Sequence, residues 1–342
     1  MHYLITGHTG FKGSWLTFLL IQRGHKVSGI SLDVAKNSLF EIANVEELLH
    51  HHIKCDIRNL PKLTEALNYV NPDVLIHFAA QPLVRESYAR PLETFETNAI
   101  GTINILSASQ TLSNLKARLI ITTDKVYRDI GKNAGYLEDD QLGGFDPYSA
   151  SKAMADIATQ SWVKSFGGPN TGIARAGNVI GGGDVCKDRL IPDLIKSLSV
   201  GEIPKLRSPF SVRPWQNVLD CLNGYLLLVD ELVLGKASGE WNFGPDPRLT
   251  KQVKDVVKIA FETWGVETVW ELDEAVSLPE SSFLALDSSK AFQKLGWREI
   301  YNFEESVIKT IIWYKNVMNG KSPREETLRI IREFESKNVN YD

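Results

Sequence analysis

"LITGHTGFKGSWL", residues 4–16, sets three glycines three residues apart, Gly7, Gly10 and Gly13, ahead of a stretch carrying Trp15, Leu16, Leu19 and Leu20. A glycine backbone approaches a ligand closely and takes positive φ without strain. Between an apolar first strand and an amphipathic first helix, G-x-x-G-x-x-G stands in the context that the dinucleotide fingerprint requires. The helix N-terminus then offers free N–H groups and a partial positive charge to a pyrophosphate. Glycines also close ordinary turns, so the motif gains its meaning from the rest of the chain.

Beyond the glycines, strand and helix patterns alternate. Short apolar or β-branched runs recur at 3–6, 26–31, 52–57, 73–80, 118–123 and 171–180, with helical periodicity between them. That pattern predicts a parallel sheet covered on both faces. Gly24 ends the first helix, Pro61 and Pro91 sit near two helix starts, and Asp146-Pro147 reads as N-cap and first helical position. Beyond residue 180 the pattern predicts helices near 190–200, 219–234, 250–264, 303–319 and 323–336, and strands near 215–218, 239–243 and 268–272. The chain thus reads as α/β: a Rossmann doubly wound parallel sheet over 1–180, and a smaller mixed α/β substrate-binding lobe over 181–342. Residues 213–245 are expected to return to the edge of the first domain.

Bulk properties narrow the field of ligands. The 342 residues are 43% hydrophobic and 23% charged, ordinary for a globular chain of one large or two medium domains. With 38 basic against 42 acidic residues the net charge is −4, so no global field gathers nucleic acid or an anionic membrane. No apolar run approaches the ~20 residues of a membrane span and no charged n-region precedes one, which predicts a cytoplasmic protein. Cys55, Cys186 and Cys221 lie far apart with no C-x-x-C spacing, indicating neither a disulfide framework nor a zinc site. The run His50, His51, His52 has no ligating pattern, because neighbours on a strand alternate faces; no metal is expected.

The chemistry is written in "DPYSASK", 146–152, where Tyr148 and Lys152 lie four apart at the start of a helix and share one face. A phenol with a pKa near ~10 is a weak base at neutral pH, and a neighbouring ammonium favours its phenolate. Lys152 supplies that charge while holding the nicotinamide ribose, and Tyr148 takes the proton of a sugar hydroxyl as hydride leaves the same carbon. After the second strand an acid would select NAD and an arginine NADP. In "ISLDVAK" Ser31 holds the usual acid position, Asp33 lies two residues on and no arginine follows, which favours NAD. Asp56 and Ile57, after the third strand, are placed to flank the adenine.

With these parts assembled, the glycine loop, HFAAQ (77–81), TTDK (122–125) and YSASK resemble the extended short-chain dehydrogenase/reductase family of NAD-dependent nucleotide-sugar epimerases and dehydratases. GHTGFKGSWL, AAQPLVRESY (79–88), GGFDPYSASK (143–152), RAGNVIGGGD (175–184), DRLIPD (188–193), RPWQNV (213–218) and WNFGP (241–245) are similar to its CDP-glucose 4,6-dehydratase branch. The resemblance spans residues 7–245 and is looser in the final hundred. It implies that Gly7, Thr9, Gly10, Phe11, Lys12, Gly13, Ser31, Asp33, Asp56, Ile57, Phe78, Ala79, Ala80, Tyr148 and Lys152 bind NAD. It also implies that Gln81 and Arg85 line the sugar side, that Asn178, Arg189 and Arg213 meet the nucleotide pyrophosphate, and that Leu190 lines the substrate site. Relatives dimerise through helices matching 92–112 and 148–166, so a homodimer is implied, together with a small-molecule nucleotide sugar as partner and a role in deoxysugar supply, as for lipopolysaccharide O-antigen.

The activity implied is oxidation of CDP-D-glucose at carbon 4, loss of water across carbons 5 and 6, and return of the hydride to carbon 6. Many dehydratases of the group carry Asp then Glu after the threonine; here Asp124 is followed by Lys125, as in the CDP-glucose branch. Asp124 would protonate the departing hydroxyl, which needs a raised pKa, and Lys125 would remove the carbon 5 proton, which needs a lowered one. Two groups so close couple their titrations, leaving open which moves which proton. Thr123 would orient the carbon 4 oxygen. The chain departs from the branch at Val185, in the short GGPNTGIARAGNV segment and in YRDIGKNAG (127–135), all at the rim of the pocket. Two other readings stay open: a nucleotide-sugar 4-epimerase or reductase, which needs no elimination pair, and a non-catalytic dinucleotide sensor, against which Tyr148 and Lys152 speak.

Overall fold

The computed structural model describes all residues except 133, 250, 274–283 and 339–342. Strands β1 (His2–Thr6), β2 (Lys26–Ser31), β3 (His51–Lys54), β4 (Val74–His77), β5 (Ala117–Ile121), β6 (Asn170–Ala176) and β7 (Gly239–Phe243) form one parallel sheet in the order β7-β6-β5-β4-β1-β2-β3. Successive side chains leave a strand on opposite faces. On β1, Tyr3 and Ile5 join the core that includes Leu16 and Leu19, while Leu4 joins Ile30, Leu63, Leu75 and Ile120 on the other side. Both faces are therefore apolar, and both need helices.

The longer helices are α1 (Phe11–Gln22), α2 (Leu60–Val70), α3 (Gly101–Ser109), α4 (Pro147–Phe166), α5 (Leu190–Val200), α6 (Val218–Val233), α7 (Val253–Trp264), α8 (Phe303–Met318) and α9 (Pro323–Asn338), of which α1, α4 and α6 pack directly on strands of the sheet. Their ends follow side-chain chemistry. Asn59 caps α2 by accepting from Lys62 N, and Asp146 caps α4 by accepting from Ser149 N at 2.9 Å, with Pro147 in the first turn. Gly24, at φ +77, takes the left-handed turn just past α1. Helix α6 packs on β5 and β6, and β7 pairs in parallel with β6 to form the sheet's edge.

The remaining strands are two-residue ladders: 179–180 with 216–217, 212–213 with 251–252, and 205–206 with 271–272. The C-terminal helices are tied to the glycine turn at 181–184. Trp15 Nε1 donates to Gly182 O at 2.8 Å, a Cβ on Gly182 would fall 2.1 Å from the Trp313 ring, and the Tyr314 hydroxyl donates to Asp184 O.

Four strands end earlier at their carboxyl ends than the apolar runs predict. β3 stops at Lys54, β4 at His77 and β5 at Ile121, and the run 171–180 breaks after Ala176. Just past that break the packing admits only glycine: a Cβ on Gly177 would sit 2.5 Å from Pro214 Cγ and 2.7 Å from Asp124 Oδ2. In each case the residues beyond the strand line a cleft. Sheet order reverses between β1 and β4, where a parallel α/β sheet opens a crevice at its carboxyl edge.

Candidate active site

A cleft of about 970 Å³ runs across that edge, walled on one side by the ends of β1 to β6 and on the other by residues 178–215. Its floor is the glycine turn. Gly7 has φ +73, and a Cβ there would lie 2.8 Å from Ala79 N. Gly10 is the N-cap of α1 and makes no side-chain cap, leaving the first-turn N–H groups open, and no acid occupies that turn. A Cβ on Gly13 would lie 2.4 Å from Gly7 O, so only glycine lets α1 start this close to β1. A cradle of bare backbone before a helix N-terminus fits a pyrophosphate, and the residues present fit a dinucleotide.

Thr9, Phe11, Lys12, Ser31, Asp56, Ile57, Phe78, Ala79 and Ala80 line the cleft together with these glycines. Ser31 and Thr9 join hydroxyls at 2.6 Å. Asp56 is held in a fork by Arg58, which keeps its carboxyl below the usual range. Asp33 is the exception among the expected cofactor residues. It is exposed, pairs with Lys54, and stands outside the lining, where Ser31 and Leu32 take its place.

Thr123, Asp124, Lys125, Tyr148 and Lys152 all line the same cleft, brought there by the turn after β5 and the first turns of α4. The Thr123 hydroxyl donates to Asp124 Oδ1 at 2.9 Å, and Asp124 Oδ2 is buried without a partner. Burial raises the Asp124 pKa against the opposing pull of Lys125, Thr123 and Arg213, so this carboxyl favours its protonated form more than a surface aspartate does. Burial pushes the Tyr148 phenol up to about 12 and the Lys152 amine down to about 7, the latter helped by Lys12 and opposed by Asp156. On the phenol, desolvation outweighs the opposing pull of the Thr123 hydroxyl and Arg189, and Lys152 Nζ donates to Ile121 O at 3.0 Å.

Behind these groups stands a buried network with no motif of its own. Asp156, one turn beyond Lys152, receives Arg175 Nε and Nη2 at 2.8 Å each and the Thr122 hydroxyl at 3.1 Å. Arg175 Nη1 donates to Tyr127 OH at 2.9 Å, and Tyr127 donates to Asn242 Oδ1. Strand end, helix α4 and β7 are cross-linked within two residues of Asp124.

On the far wall, Gln81, Arg85, Asn178, Arg189, Leu190 and Arg213 all line the cleft. Gln81 is fixed by Asn98 and Thr94, Arg189 by Asp184 at 2.9 Å, and Arg85 lies 3.5 Å from Asp188. Arg213 is buried and its Nη1 donates to Val212 O. Sequence reasoning passed over Arg207, Ser208, Ser211 and residues 204–206, which complete this wall. They come from irregular chain and short ladders, which carry no periodic signal.

Among the described residues no group of three or more His, Cys, Asp or Glu is placed to hold a metal, and none of their helices is long and apolar enough to cross a membrane. His52 instead meets His8 at 2.7 Å, and the three cysteines are free thiols.

A phenol and an amine one helical turn apart, facing a glycine cradle across the carboxyl ends of a parallel sheet, is the arrangement of the extended short-chain dehydrogenase/reductases, and the chain is of that class. The family model described as GDP-mannose 4,6 dehydratase matches residues 4–310, and the chain belongs to that family. It is similar to the CDP-glucose 4,6-dehydratase of Salmonella typhimurium, 41% identical over 328 residues, which cover 93% of this chain and 91% of that protein. It is 30% identical to a dTDP-glucose 4,6-dehydratase of Escherichia coli over 92% of this chain and 94% of the relative. Among solved structures, the dTDP-glucose 4,6-dehydratase of Streptomyces venezuelae with NAD and TYD bound superposes with a TM-score of 0.81 at 25% identity, covering 95% of this chain and all of that one. A UDP-glucuronic acid 4-epimerase of Bacillus cereus, at 22% identity and TM-score 0.81 over 93% of this chain and all of the other, shares the fold.

Proposed function

We propose that the chain is an NAD-dependent 4,6-dehydratase that converts CDP-D-glucose to CDP-4-dehydro-6-deoxy-D-glucose. The carrying observation is the buried, protonation-prone Asp124 beside Lys125, in the same cleft as Tyr148 and Lys152. An epimerase has no need of an acid and base for elimination. Similarity to the Salmonella enzyme supports cytidine as the base.

When bound, NAD supplies the reversible acceptor for the hydrogen and electron pair of carbon 4. Gly7, Gly10 and Gly13 would hold its pyrophosphate, with Thr9, Phe11, Lys12 and Ser31 flanking it, Asp56 and Ile57 bordering its adenine, and Phe78, Ala79 and Ala80 backing the nicotinamide half. Tyr148 takes the carbon 4 hydroxyl proton and Thr123 orients that oxygen. The new carbonyl acidifies carbon 5, whose proton passes to Lys125. Asp124 would give its proton to the carbon 6 hydroxyl, which leaves as water, and the hydrogen and electron pair that NAD accepts would be available for return to carbon 6. Arg189 and Arg213 suit the substrate pyrophosphate, since a guanidinium fork matches phosphate oxygens. Asn178 and Leu190 complete that side, while Gln81 and Arg85 face the sugar.

The dinucleotide domain comprises 1–180 with the returning segment 213–245, and the rest forms the substrate lobe. A homodimer is supported by exposed Leu92, Ile100, Met154 and Ile157 on packed neighbouring helices. Three free thiols suit a cytoplasmic setting, and the product suits deoxysugar supply such as that for lipopolysaccharide O-antigen.

Mass spectrometry over a panel of nucleotide hexoses tests the assignment. Loss of one water from CDP-glucose, with deuterium moving from carbon 4 to carbon 6, is the expected result. An unchanged mass with inverted carbon 4 would point to epimerisation and overturn it.

A further inference from the structure

Lys12 stands in the first turn of α1, and its half-buried side chain lines the cleft. Nζ lies 3.5 Å from the Tyr225 hydroxyl and 5.6 and 5.7 Å from the ring centres of Tyr225 and Phe78. Among the described residues it makes no ion pair with a carboxylate. Burial lowers its pKa; the Cys221 thiol and Asp124 favour its charged form, Arg189 opposes it, and its own charge helps to lower Lys152. A half-buried cation with so little compensation is costly, and the cost calls for a gain elsewhere.

The glycine turn and the α1 amides already supply the donors a pyrophosphate needs. Lys12 Nζ extends past them toward Tyr225, on the side where Lys152 and Asp124 lie. There its charge acts on whatever changes charge during reaction. An oxidised nicotinamide ring is positive and a reduced one neutral, whereas the two phosphates carry the same charge in both forms. A fixed ammonium nearby therefore penalises the oxidised form alone.

Resting on the dehydratase reading, we infer that Lys12 biases the bound dinucleotide toward its reduced form. It thereby eases withdrawal of hydrogen from carbon 4 and holds the reduced state while water leaves. In that step the carbon 4 C–H bond breaks with its electron pair passing to the oxidised ring, and the hydroxyl proton passes to Tyr148. Lys12 is an electrostatic determinant of the equilibrium and forms no bond to the sugar.

The test is titration calorimetry of the full chain and of K12M and K12R with NAD and with NADH. In K12M the ratio Kd(NAD)/Kd(NADH) is expected to fall by about tenfold or more, the scale of one unit charge in a partly screened interior. In K12R it stays near the parent value. Equal weakening of both dinucleotides would make Lys12 a phosphate clamp and overturn the inference, as would an unchanged ratio in K12M. A parent chain that binds dinucleotide and transfers deuterium keeps the dehydratase reading intact whichever way K12M falls. A parent chain that binds neither dinucleotide overturns both.

Discussion

Asp124→Asn replaces the proposed proton donor by a group of the same shape that has no acidic proton. Asp124 is 2% exposed, Oδ1 accepts the Thr123 hydroxyl and Oδ2 has no partner. The amide oxygen inherits the Thr123 bond, and the amide nitrogen takes the orphan position at a cost of about 1–3 kcal/mol for an unsatisfied polar group. Offsetting that cost, the variant no longer buries a group that ionises. The fold is therefore expected to survive with a small change in Tm. Turnover is another matter. A positioned proton donor contributes about a hundred- to ten-thousandfold, which at about 1.36 kcal/mol per tenfold is roughly 2.7–5.4 kcal/mol of barrier.

Because Tyr148, not Asp124, serves the oxidation at carbon 4, the variant is expected to stall after it. On addition of CDP-glucose, absorbance at the reduced cofactor's wavelength should build up and persist, while dehydrated product is scarce by mass. The pH dependence has a defined sign. Burial raises the Asp124 pKa above its unfolded value, so its stabilising contribution is complete below the ordinary carboxylate range and is lost as pH rises through the raised value. Parent turnover should fall in the same direction as the donor ionises. The Tm difference should shift in favour of Asp124→Asn as pH climbs. Turnover in the variant within about threefold of the parent would refute Asp124 as the donor, since general acid catalysis at this site would then be negligible.

Three further outcomes are expected. Tyr148→Phe should lower turnover at least about a hundredfold with no build-up of reduced cofactor, and calorimetry should find dinucleotide affinity little changed. Gly13→Ala places a Cβ 2.4 Å from Gly7 O and 2.6 Å from His8 Cα, both backbone, so neither neighbour swings away. Thermal melts should show a loss of about 1–3 kcal/mol or more, and dinucleotide binding should fail with it. Arg175→Met leaves the Asp156 carboxylate buried and uncompensated, a loss of about 3–5 kcal/mol by chemical denaturation; adding Asp156→Asn should recover part of it.

Much was legible in the chain because the signals were local. Glycines with a fixed spacing, an Asp-Pro cap and period-two or period-3.6 apolarity each act within a few residues, so β2 and α5 stand at the bounds the pattern predicts and β1 begins one residue earlier. The Tyr148 and Lys152 pair follows from helix geometry alone. Strand ends were overestimated because apolar residues such as Phe78 and Ala79 wall a cleft as readily as they fill a core, and composition does not separate the two.

What tertiary structure alone decided concerns environment and distance. Asp33 is an acid in a plausible position, yet backbone direction beyond β2 sends it to Lys54 and away from the cleft. Asp156, Arg175, Tyr127 and Asn242 meet across separations of 19 to 115 residues. The upward shift of Tyr148 and the downward shift of Lys12 depend on how much water the packed walls exclude. Residue type establishes which protons and charges exist, whereas desolvation, a property of the whole fold, establishes what holding them costs.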